Sequence, residues 1–452
     1  MQLSTITRVY FLGIGGIGMS ALARFFLHKG ASVGGYDKTE TELTRLLSQE
    51  GAEIHYTDDE SLLWKDTQLV IYTPAIPKES KELNWFLSNN YPVYKRSDVL
   101  QWITESMFAI TVAGTHGKTT VSTMIAFILR ETGYGCNAFL GGISVNYQSN
   151  YWSSSRDVAV VEADEYDRSF LKLSPDIALL TSMDADHLDI YGTVEALETA
   201  FIQYTKNIKA NGKLLVKFGL HRSAELKGPE TIHYSLQNDA AECYATDILQ
   251  KNGGYHFSYC GKSTRIENLY LPIGGMHNVE NAVAAISLSL MLDISGDDIR
   301  KVLADFKGVK RRFEYVVKTD AHVYIDDYAH HPEELTALIS SAKHLFPNRR
   351  CVVAFQPHLF SRTRDLADGF AHALDLADEV ILLDIYPARE LPIEGVSSQM
   401  IADRMENKAC TILTKDGLLE FIRTAPPSLF ITAGAGDIDK LVEPIAAILR
   451  KI

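Results

Sequence analysis

Cysteine is scarce in this 452-residue chain. Its five cysteines are scattered, and no two of them form a Cys-x-x-Cys pair. An odd and dispersed set of this kind argues against a disulfide framework and against a zinc site, and it is typical of a reducing compartment. We therefore expect a cytoplasmic protein.

Long apolar runs and excess positive charge are also missing. No stretch approaches the ~20 consecutive apolar residues that a membrane span requires, and residues 1–10 lack the apolar core of a secretory signal. The net charge of −13 excludes bulk attraction to nucleic acid or to an anionic membrane. We therefore expect neither nucleic acid nor a membrane as a partner. An anionic substrate would have to bind to local basic groups.

What the chain does contain is an alternation of strand-like and helix-like segments, with 46% hydrophobic residues. Such alternation predicts parallel α/β layers, and the length suggests about three domains. We place these domains at residues 1–104, 105–310 and 311–452. The third should open with a strand at 322–325, and the β-rich stretch from 214 to 271 is assigned to the second.

The most informative segment lies between an apolar strand-like run, 108–112, and a helix-like run, 121–129. It consists of Gly114, Thr115, His116, Gly117, Lys118, Thr119 and Thr120. A glycine turn at a helix N-terminus directs backbone N–H groups at a phosphate, while Lys118 adds a cation and Thr119 a hydroxyl for a metal ion. Two residues separate the glycines, whereas the usual phosphate loop has four. The segment predicts binding of a nucleoside triphosphate.

A second glycine loop follows the strand-like residues 9–12. Its glycines Gly13, Gly15 and Gly18 match G-x-G-x-x-G, and Asp37 follows at the distance expected for a ribose contact. The pattern requires only a diphosphate at a helix N-terminus. It therefore fits either the dinucleotide of a dehydrogenase or a nucleotide-sugar diphosphate.

Acids and a histidine follow two further strand-like runs, 158–161 and 177–180. Glu162 ends the first run, and Asp186 and His187 follow the second. Carboxyl ends of parallel strands meet at one sheet edge, beside the phosphate loop, where a metal ion must bridge phosphate oxygens. We expect Mg²⁺ or Mn²⁺ here, with a solvated acidic loop as the alternative.

Polar residues later in the chain allow two interpretations each. Asn278 and Asn281 lie three apart on one helical face, where they suit either adenine contact or helix capping. Arg312 can serve a transferring phosphoryl group or belong to a basic linker. Two further polar groups follow strand-like runs of the third domain, where they can bind ligand or, through paired histidines, a metal. These are Asp327, Tyr328 and His330, and then His358 and Arg362.

Taken together, these segments resemble the Mur ligase family across all three domains. The shortened phosphate loop, Glu162 to Glu165, Asp186-His187, the two asparagines and Arg311 to Glu314 stand in family order. The resemblance implies a Rossmann-like first domain, a central P-loop ATPase-like domain with a mainly parallel sheet, and a Rossmann-like third domain. The first glycine loop is most similar to that of the member that adds L-alanine. The implied reaction joins L-alanine to the carboxylate of UDP-N-acetylmuramate through an acyl phosphate, at the expense of ATP, in peptidoglycan synthesis.

The resemblance also implies roles for individual residues. ATP would contact the phosphate loop together with Asn278, Asn281, Arg312 and Asp327. Thr119, Glu162 and His187 would bind the metal, and Lys118, Arg312 and His330 would be catalytic. The two substrates would be bound by Gly15, Gly16, Ile17, Gly18, Asp37, Thr73, Tyr328, His330, His358 and Arg362. The chain departs from many relatives at Leu359, where they have arginine, and at Thr73-Pro74, where they have two serines.

Four other functions compete with this one. A ligase that recycles murein tripeptide onto the same nucleotide sugar would need a larger acceptor pocket, and a folate polyglutamate ligase would not need the first domain. A nicotinamide dehydrogenase would use residues 13–37 but leaves the phosphate loop unexplained. A nucleotide-gated binding protein would bind ATP without releasing ADP. For the favoured ligase we expect a monomer or a weak homodimer.

Overall fold

The computed structural model describes residues 3–388, 390–406 and 409–451. Strand order defines sheets of five, seven, three and six strands. Short 3₁₀ helices occur at Leu3–Thr5, Glu60–Leu62, Ser169–Lys172, Ser223–Glu225 and Asp437–Leu441. Among the described residues, no helix has the length and apolar character needed to cross a membrane.

The first sheet is parallel throughout, with strand order β3-β2-β1-β4-β5. Its strands are β1 (Arg8–Leu12), β2 (Ser32–Tyr36), β3 (Glu53–His55), β4 (Leu69–Tyr72) and β5 (Val93–Lys95). Its helices are α1 (Ile17–His28), α2 (Glu42–Gln49), α3 (Lys81–Ser88) and α4 (Arg96–Ser106). Along β1, Val9 and Phe11 join one hydrophobic cluster while Tyr10 and Leu12 join another, so both faces of the sheet are covered.

The second sheet has the order β12-β11-β10-β6-β9-β7-β8 and is parallel except at the β7–β8 pair. Its strands are β6 (Phe108–Ala113), β7 (Asn137–Ser144), β8 (Ser149–Trp152), β9 (Val158–Glu162), β10 (Ile177–Leu180), β11 (Lys213–Lys217) and β12 (Glu230–Tyr234). Its helices are α5 (Lys118–Glu131), α6 (Leu188–Tyr191) and α7 (Val194–Thr205). The strand and helix predicted around the phosphate loop are confirmed as β6 and α5.

The β-rich stretch ends in a small sheet of order β13-β14-β15. Its strands are β13 (Tyr244–Lys251), β14 (Gly254–Cys260) and β15 (Arg265–Leu271), and the helices α8 (Met276–Met291) and α9 (Gly296–Leu303) follow. The β-rich character predicted for residues 214–271 is therefore confirmed.

The last sheet has the order β16-β17-β21-β18-β19-β20, with only β16–β17 antiparallel. Its strands are β16 (Glu314–Lys318), β17 (Val323–Asp327), β18 (Cys351–Phe355), β19 (Glu379–Leu382), β20 (Cys410–Ile412) and β21 (Leu429–Ala433). Its helices are α10 (Pro332–Leu345), α11 (Phe360–Leu374), α12 (Gln399–Ala402), α13 (Lys415–Thr424) and α14 (Val442–Leu449). The prediction that this domain opens with the strand at 322 was wrong. The edge strand β16 precedes it, and the turn that pairs it with β17 carries no glycine hairpin signal.

The chain divides into two compact units. The first contains the chain up to Thr246 with Ser258–Glu267 and Glu280–Leu303, and the second contains Asp247–Phe257, Asn268–Val279 and the chain from Ala304. The first and second sheets therefore share a unit. Within it, Phe25 of α1 packs against the rings of Phe139 and Tyr151, at centroid distances of 5.5 and 6.4 Å.

Candidate active site

The phosphate loop joins the end of β6 to the start of α5. Gly114 has φ +128° and Gly117, the N-cap of α5, has φ +82°, so both lie where side chains are strained. A Cβ on Gly114 would lie 2.2 Å from the Thr181 hydroxyl oxygen. Both positions require glycine because of their positive φ. Gly114 must also lack a side chain because Thr181, after the end of β10, lies so close.

Lys118 is held inside this loop by three oxygens. Its Nζ donates to the carbonyl of Gly114 at 2.6 Å, to that of Thr115 at 3.3 Å and to Glu165 Oε1 at 2.8 Å. Glu165 is fully buried and the lysine side chain is 13% exposed. The ammonium group therefore stands ready at the loop, paired with a carboxylate that sequence reasoning had passed over in favour of Glu162.

Hydroxyl groups at the end of β10 support the loop from the side. Ser182 Oγ accepts from the backbone N–H of His116 at 2.8 Å and lies 2.9 Å from Thr115 Oγ1. β10 is the sheet neighbour of β6, with Leu180 opposite Ala113. This neighbourhood is what brings Ser182 to the loop, and no feature of the local sequence around it marks the contact.

Glu162 ends β9, the other neighbour of β6. Its Oε1 accepts from the Thr119 hydroxyl at 2.9 Å and its Oε2 from the Gly141 N–H at 2.9 Å. Burial raises the pKa of the Glu162 carboxyl, and the nearby Lys118 charge opposes that rise. The predicted metal-binding pair of Thr119 and Glu162 is thus brought together.

A second group of ligand atoms lies close by. Oxygen or nitrogen atoms of Glu165, Asp186 and His187 lie within 4.8 Å of one another. His187 has φ +51°, and its Nε2 lies 3.8 Å from Glu165 Oε1 and 3.6 Å from Asp186 Oδ2. Glu165 Oε2 is buried without a hydrogen bond from another described residue. A buried carboxylate, a partly exposed one and an imidazole form a donor set that suits a divalent cation.

The two asparagines of α8 are placed differently. Asn281 Oδ1 would lie 3.1 Å from a Cβ on Gly117, which puts it beside the phosphate loop. Asn278 is 3% exposed, and its Nδ2 donates to the Gly274 carbonyl at 2.6 Å. Contact of either amide with adenine stays a prediction.

The first glycine loop lies at the carboxyl edge of the first sheet. Asp37 Oδ2 accepts from the Gly15 N–H at 2.8 Å, so this carboxylate braces the loop itself. A Cβ on Gly13 would lie 2.6 Å from Thr73 Cγ2, and one on Gly18 would lie 2.3 Å from Arg96 Nη1. Sequence reasoning missed Arg96, the first residue of α4, which adds a cation beside this glycine loop.

In the second unit, the predicted residues gather at the end of β17. Asp327 accepts from the backbone N–H groups of Phe313 and Ala329, at 2.6 and 2.7 Å. Burial raises its pKa, and the charge of Arg312 opposes the rise. The guanidinium of Arg312 lies 5.4 Å from the centre of the Tyr328 ring. Asp327 therefore organises the turn, and Arg312 and Tyr328 lie together beside it.

His330 and His358 lie with their ring centroids 6.3 Å apart. His330 Nδ1 lies 3.0 Å from the Tyr328 carbonyl, which can only accept, so Nδ1 carries the proton and Nε2 keeps its lone pair. Burial lowers the pKa of both imidazoles, and Arg362 lowers both further. His358 Nδ1 is buried and has no hydrogen-bond partner within the described part of the chain. Two neutral rings beside an arginine provide a proton acceptor next to an anion-binding group.

Leu359 follows His358 with φ +71°, a strained conformation for a leucine, and is the N-cap of α11. The ring of His358 stacks on Tyr386 at 5.8 Å. Tyr386 in turn lines a cavity of about 480 Å³ at the carboxyl edge of the last sheet. The cavity is also lined by Gln356, Asp384, Lys415, Asp416 and Asp437.

Comparison with known families identifies the chain. Residues 8–107 match the Mur ligase family catalytic domain, residues 112–289 the Mur ligase middle domain, and residues 311–436 the Mur ligase glutamate ligase domain. A protein of Parabacteroides distasonis described as UDP-N-acetylmuramate--L-alanine ligase is 46% identical over 458 residues, covering 100% of this chain and 99% of that protein. The chain belongs to the Mur ligase family.

Further Mur ligases match along almost their whole length. A protein of the same description from Cytophaga hutchinsonii is 46% identical, covering 98% of this chain and 97% of that protein. The crystal structure of UDP-N-acetylmuramate-alanine ligase MurC from Thermotoga maritima matches with a TM-score of 0.81 at 28% identity, covering 98% of each chain. The predicted Mur ligase membership and the predicted three-domain α/β fold are confirmed, while the domain boundaries stay a prediction.

Proposed function

We propose that this Mur ligase joins L-alanine to the lactyl carboxylate of UDP-N-acetylmuramate at the expense of ATP. The observation that carries the proposal is the phosphate loop, in which Lys118 lies between loop carbonyls and Glu165. Full-length similarity to proteins described as UDP-N-acetylmuramate--L-alanine ligase supports the choice of substrates. The enzyme would act in peptidoglycan synthesis.

The nucleotide sugar would bind at the first sheet, in the proposed domain of residues 1–104. The N-terminus of α1 offers a partial positive charge to the diphosphate. Arg96 adds a full charge beside Gly18, and Thr73 packs against Gly13 on the other side. A diphosphate therefore finds local positive charge in a chain whose net charge is −13.

ATP would bind at the phosphate loop of the proposed central domain, residues 105–310. Lys118 would leave Glu165 and bind the phosphate oxygens. Asn281, which lies beside Gly117, would contact the adenine. Mg²⁺ fits the donors present, because hydroxyl and carboxylate oxygens are its preferred ligands and Glu165 Oε2 accepts no hydrogen bond from another described residue. Thr119, Glu162 and His187 would hold the ion, which would neutralise charge on the phosphate oxygens.

The reaction balances as two transfers. A carboxylate oxygen of the muramoyl group attacks the γ-phosphorus of ATP, the bond to the β–γ bridging oxygen breaks, and ADP leaves. The amine of L-alanine then attacks the acyl carbon, and the tetrahedral intermediate expels inorganic phosphate. Lys118 stabilises the negative charge that develops on the phosphoryl oxygens, and we propose the same role for Arg312.

The amino acid would bind at residues 311–452, near Tyr328, His358 and Arg362. L-Alanine arrives as an ammonium ion and must lose a proton before it attacks. His330 suits this task, since its lowered pKa keeps it neutral near pH 7 and its Nε2 lone pair is available. Arg362 would attract the carboxylate of the amino acid.

The proposed setting is the cytoplasm, where both ATP and the nucleotide sugar are available. No membrane insertion is proposed, and the protein would work as a monomer or a weak homodimer.

The test is phosphate release with ATP, Mg²⁺ and UDP-N-acetylmuramate, comparing L-alanine with glycine, L-serine, D-glutamate and the murein tripeptide. Release that requires L-alanine, together with the product mass, supports the proposal. Release only with tripeptide assigns recycling instead. Absence of release with every acceptor rejects ligation.

A further inference from the structure

Asn150 lies on β8 of the second sheet, but its side chain forms hydrogen bonds with α1, a helix of the first sheet. Its Nδ2 donates to the Ile17 carbonyl at 2.5 Å and to the Ser20 hydroxyl at 3.0 Å. Its Oδ1 accepts from Arg24 Nη1. Asn150 is fully buried, so both amide hydrogens and the oxygen are committed to one helix in a place that water does not reach.

Arg24 fixes the orientation of this amide. It is 3% exposed, and its guanidinium also forms a fork with Glu50 at 2.7 and 2.8 Å. A bidentate pair of this kind holds the guanidinium plane in one direction. The Asn150 oxygen must therefore face Arg24, and its Nδ2 must face Ile17.

The carbonyl that Nδ2 contacts belongs to the glycine loop. Ile17 stands between Gly16 and Gly18 and is the first residue of α1. The strand paired with β8 is β7, whose Gly141 N–H supports Glu162 beside the phosphate loop. One hairpin, β7–β8, thus contacts the start of α1 through Asn150 and the metal-binding carboxylate through Gly141.

We propose that Asn150 is a positioning residue that sets the glycine loop, and with it the diphosphate of the nucleotide sugar, at a fixed place relative to the phosphate loop. The inference rests on the proposed function. Acyl phosphate formation needs the muramoyl carboxylate in line with the γ-phosphate, and a displacement of about 1 Å can lower a rate about 100-fold. Apolar packing alone would let α1 slide along β8. The directional hydrogen bonds of Asn150 fix α1 at one position on that strand.

The decisive variant is Asn150→Asp at pH 8, which keeps the side-chain volume and the acceptor for Arg24 but replaces the Nδ2 donor with an oxygen. We expect the Kd for UDP-N-acetylmuramate to rise about tenfold, because Nδ2 no longer donates to the Ile17 carbonyl and the Ser20 hydroxyl. The Kd for a non-hydrolysable ATP analogue should change less than about twofold. In turnover, KM for the nucleotide sugar should rise and kcat should fall, with KM for ATP unchanged.

The matched control is Ser144→Ala. Ser144 is also fully buried, on β7, and its hydroxyl has no partner among the described residues, so both affinities should stay at wild-type values. If Asn150→Asp does not fold, Ser20→Ala removes one of the two acceptors with little change in volume, and the nucleotide-sugar Kd should rise about threefold.

Two results would overturn the inference alone: an unchanged nucleotide-sugar Kd in the folded variant, or an equal loss of affinity for both ligands, which would indicate a general structural role. A wild-type protein that does not bind UDP-N-acetylmuramate would reject the proposed function and this inference together. Titration calorimetry of each ligand separates these cases, because it needs no turnover.

Discussion

At the residue scale, the pairing of Lys118 with Glu165 shapes the phosphate site before any nucleotide arrives. The ammonium lies 2.8 Å from a fully buried carboxylate. Burial raises the pKa of that carboxyl, and the Lys118 charge opposes the rise. A buried charge that loses its partner is costly, so phosphate and metal must both arrive for the lysine to leave at low cost.

Lys118→Ala should lower kcat by about 10²–10³-fold or more, because a charge that acts on the developing phosphoryl oxygens is lost. The Kd for UDP-N-acetylmuramate should change less than about twofold. Steady-state kinetics and titration calorimetry measure the two effects. Lys213→Ala, which removes a partly exposed lysine paired with Glu230 on the same sheet, is the control and should be silent. A Lys118→Ala enzyme with most of its rate would contradict the assignment.

Protonation of His330 should cause the pH profile of kcat/KM to fall on its acid side, at a pH below the usual pKa of histidine. Burial lowers its pKa, so the ring is neutral above that value and becomes protonated, hence unable to accept a proton, as the pH falls through it. We expect kcat/KM for L-alanine to decline below pH 6.5, and His330→Gln to lower kcat by about 10²-fold and to remove that decline. A pH–rate profile identical in the variant and the wild type would argue against a proton-accepting role.

At the scale of elements, the β6–α5 turn depends on Gly114. Alanine there would meet the Thr181 hydroxyl at 2.2 Å with φ at +128°. Gly114→Ala should lower the free energy of unfolding by about 2–3 kcal/mol and weaken nucleotide binding. The control is Gly133→Ala, since Gly133 also has positive φ but has open space around its Cβ position. Urea unfolding should show a clearly smaller loss of unfolding free energy for the control. Equal losses in the two variants would mean that the structure relaxes to avoid the contact with Thr181.

Glu82 ties α3 to β1 in the first sheet. It is fully buried and accepts from the Tyr10 hydroxyl at 2.9 Å and the Asp59 N–H at 3.1 Å. Burial raises the pKa of Glu82 to about 7, against the effect of these hydrogen bonds. The folded state therefore holds a proton that the unfolded chain releases near pH 4.5.

The stability that depends on Glu82 should consequently fall as the pH rises from 4.5 to 7. The expected loss is about 3 kcal/mol, because each pKa unit corresponds to 1.36 kcal/mol. Urea unfolding followed in this range should decline less steeply for Glu82→Gln than for the wild type. A variant with the same slope would show that another group carries the dependence.

For the molecule as a whole, the excess of acidic residues determines how solubility depends on pH. The sequence pI is about 5.6, so the net charge of −13 at pH 7 vanishes near that pH. We expect minimum solubility within about half a unit of pH 5.6, because like-charge repulsion between molecules is then absent. Light scattering between pH 5 and 8 measures it. A scattering maximum well away from pH 5.6 would contradict this view.

The parts of the fold that depend on neighbours along the chain can be predicted from local sequence. The turn from β6 into α5, the strands β9, β10, β18 and β21, and the glycine loop before α1 all follow from apolar runs that end in glycine or polar groups. The resemblance carried by these motifs predicted the family, which the full-length relatives confirm.

Contacts between side chains that are distant in sequence depend on the tertiary structure. It paired Lys118 with Glu165, set Arg96 beside Gly18, used Asp37 to brace Gly15 and placed Asn150 against α1. It also added β16 as an antiparallel edge strand. The physical reason is common to all of these: strand order and helix packing bring together groups that lie far apart in sequence, and no local period encodes that partner choice.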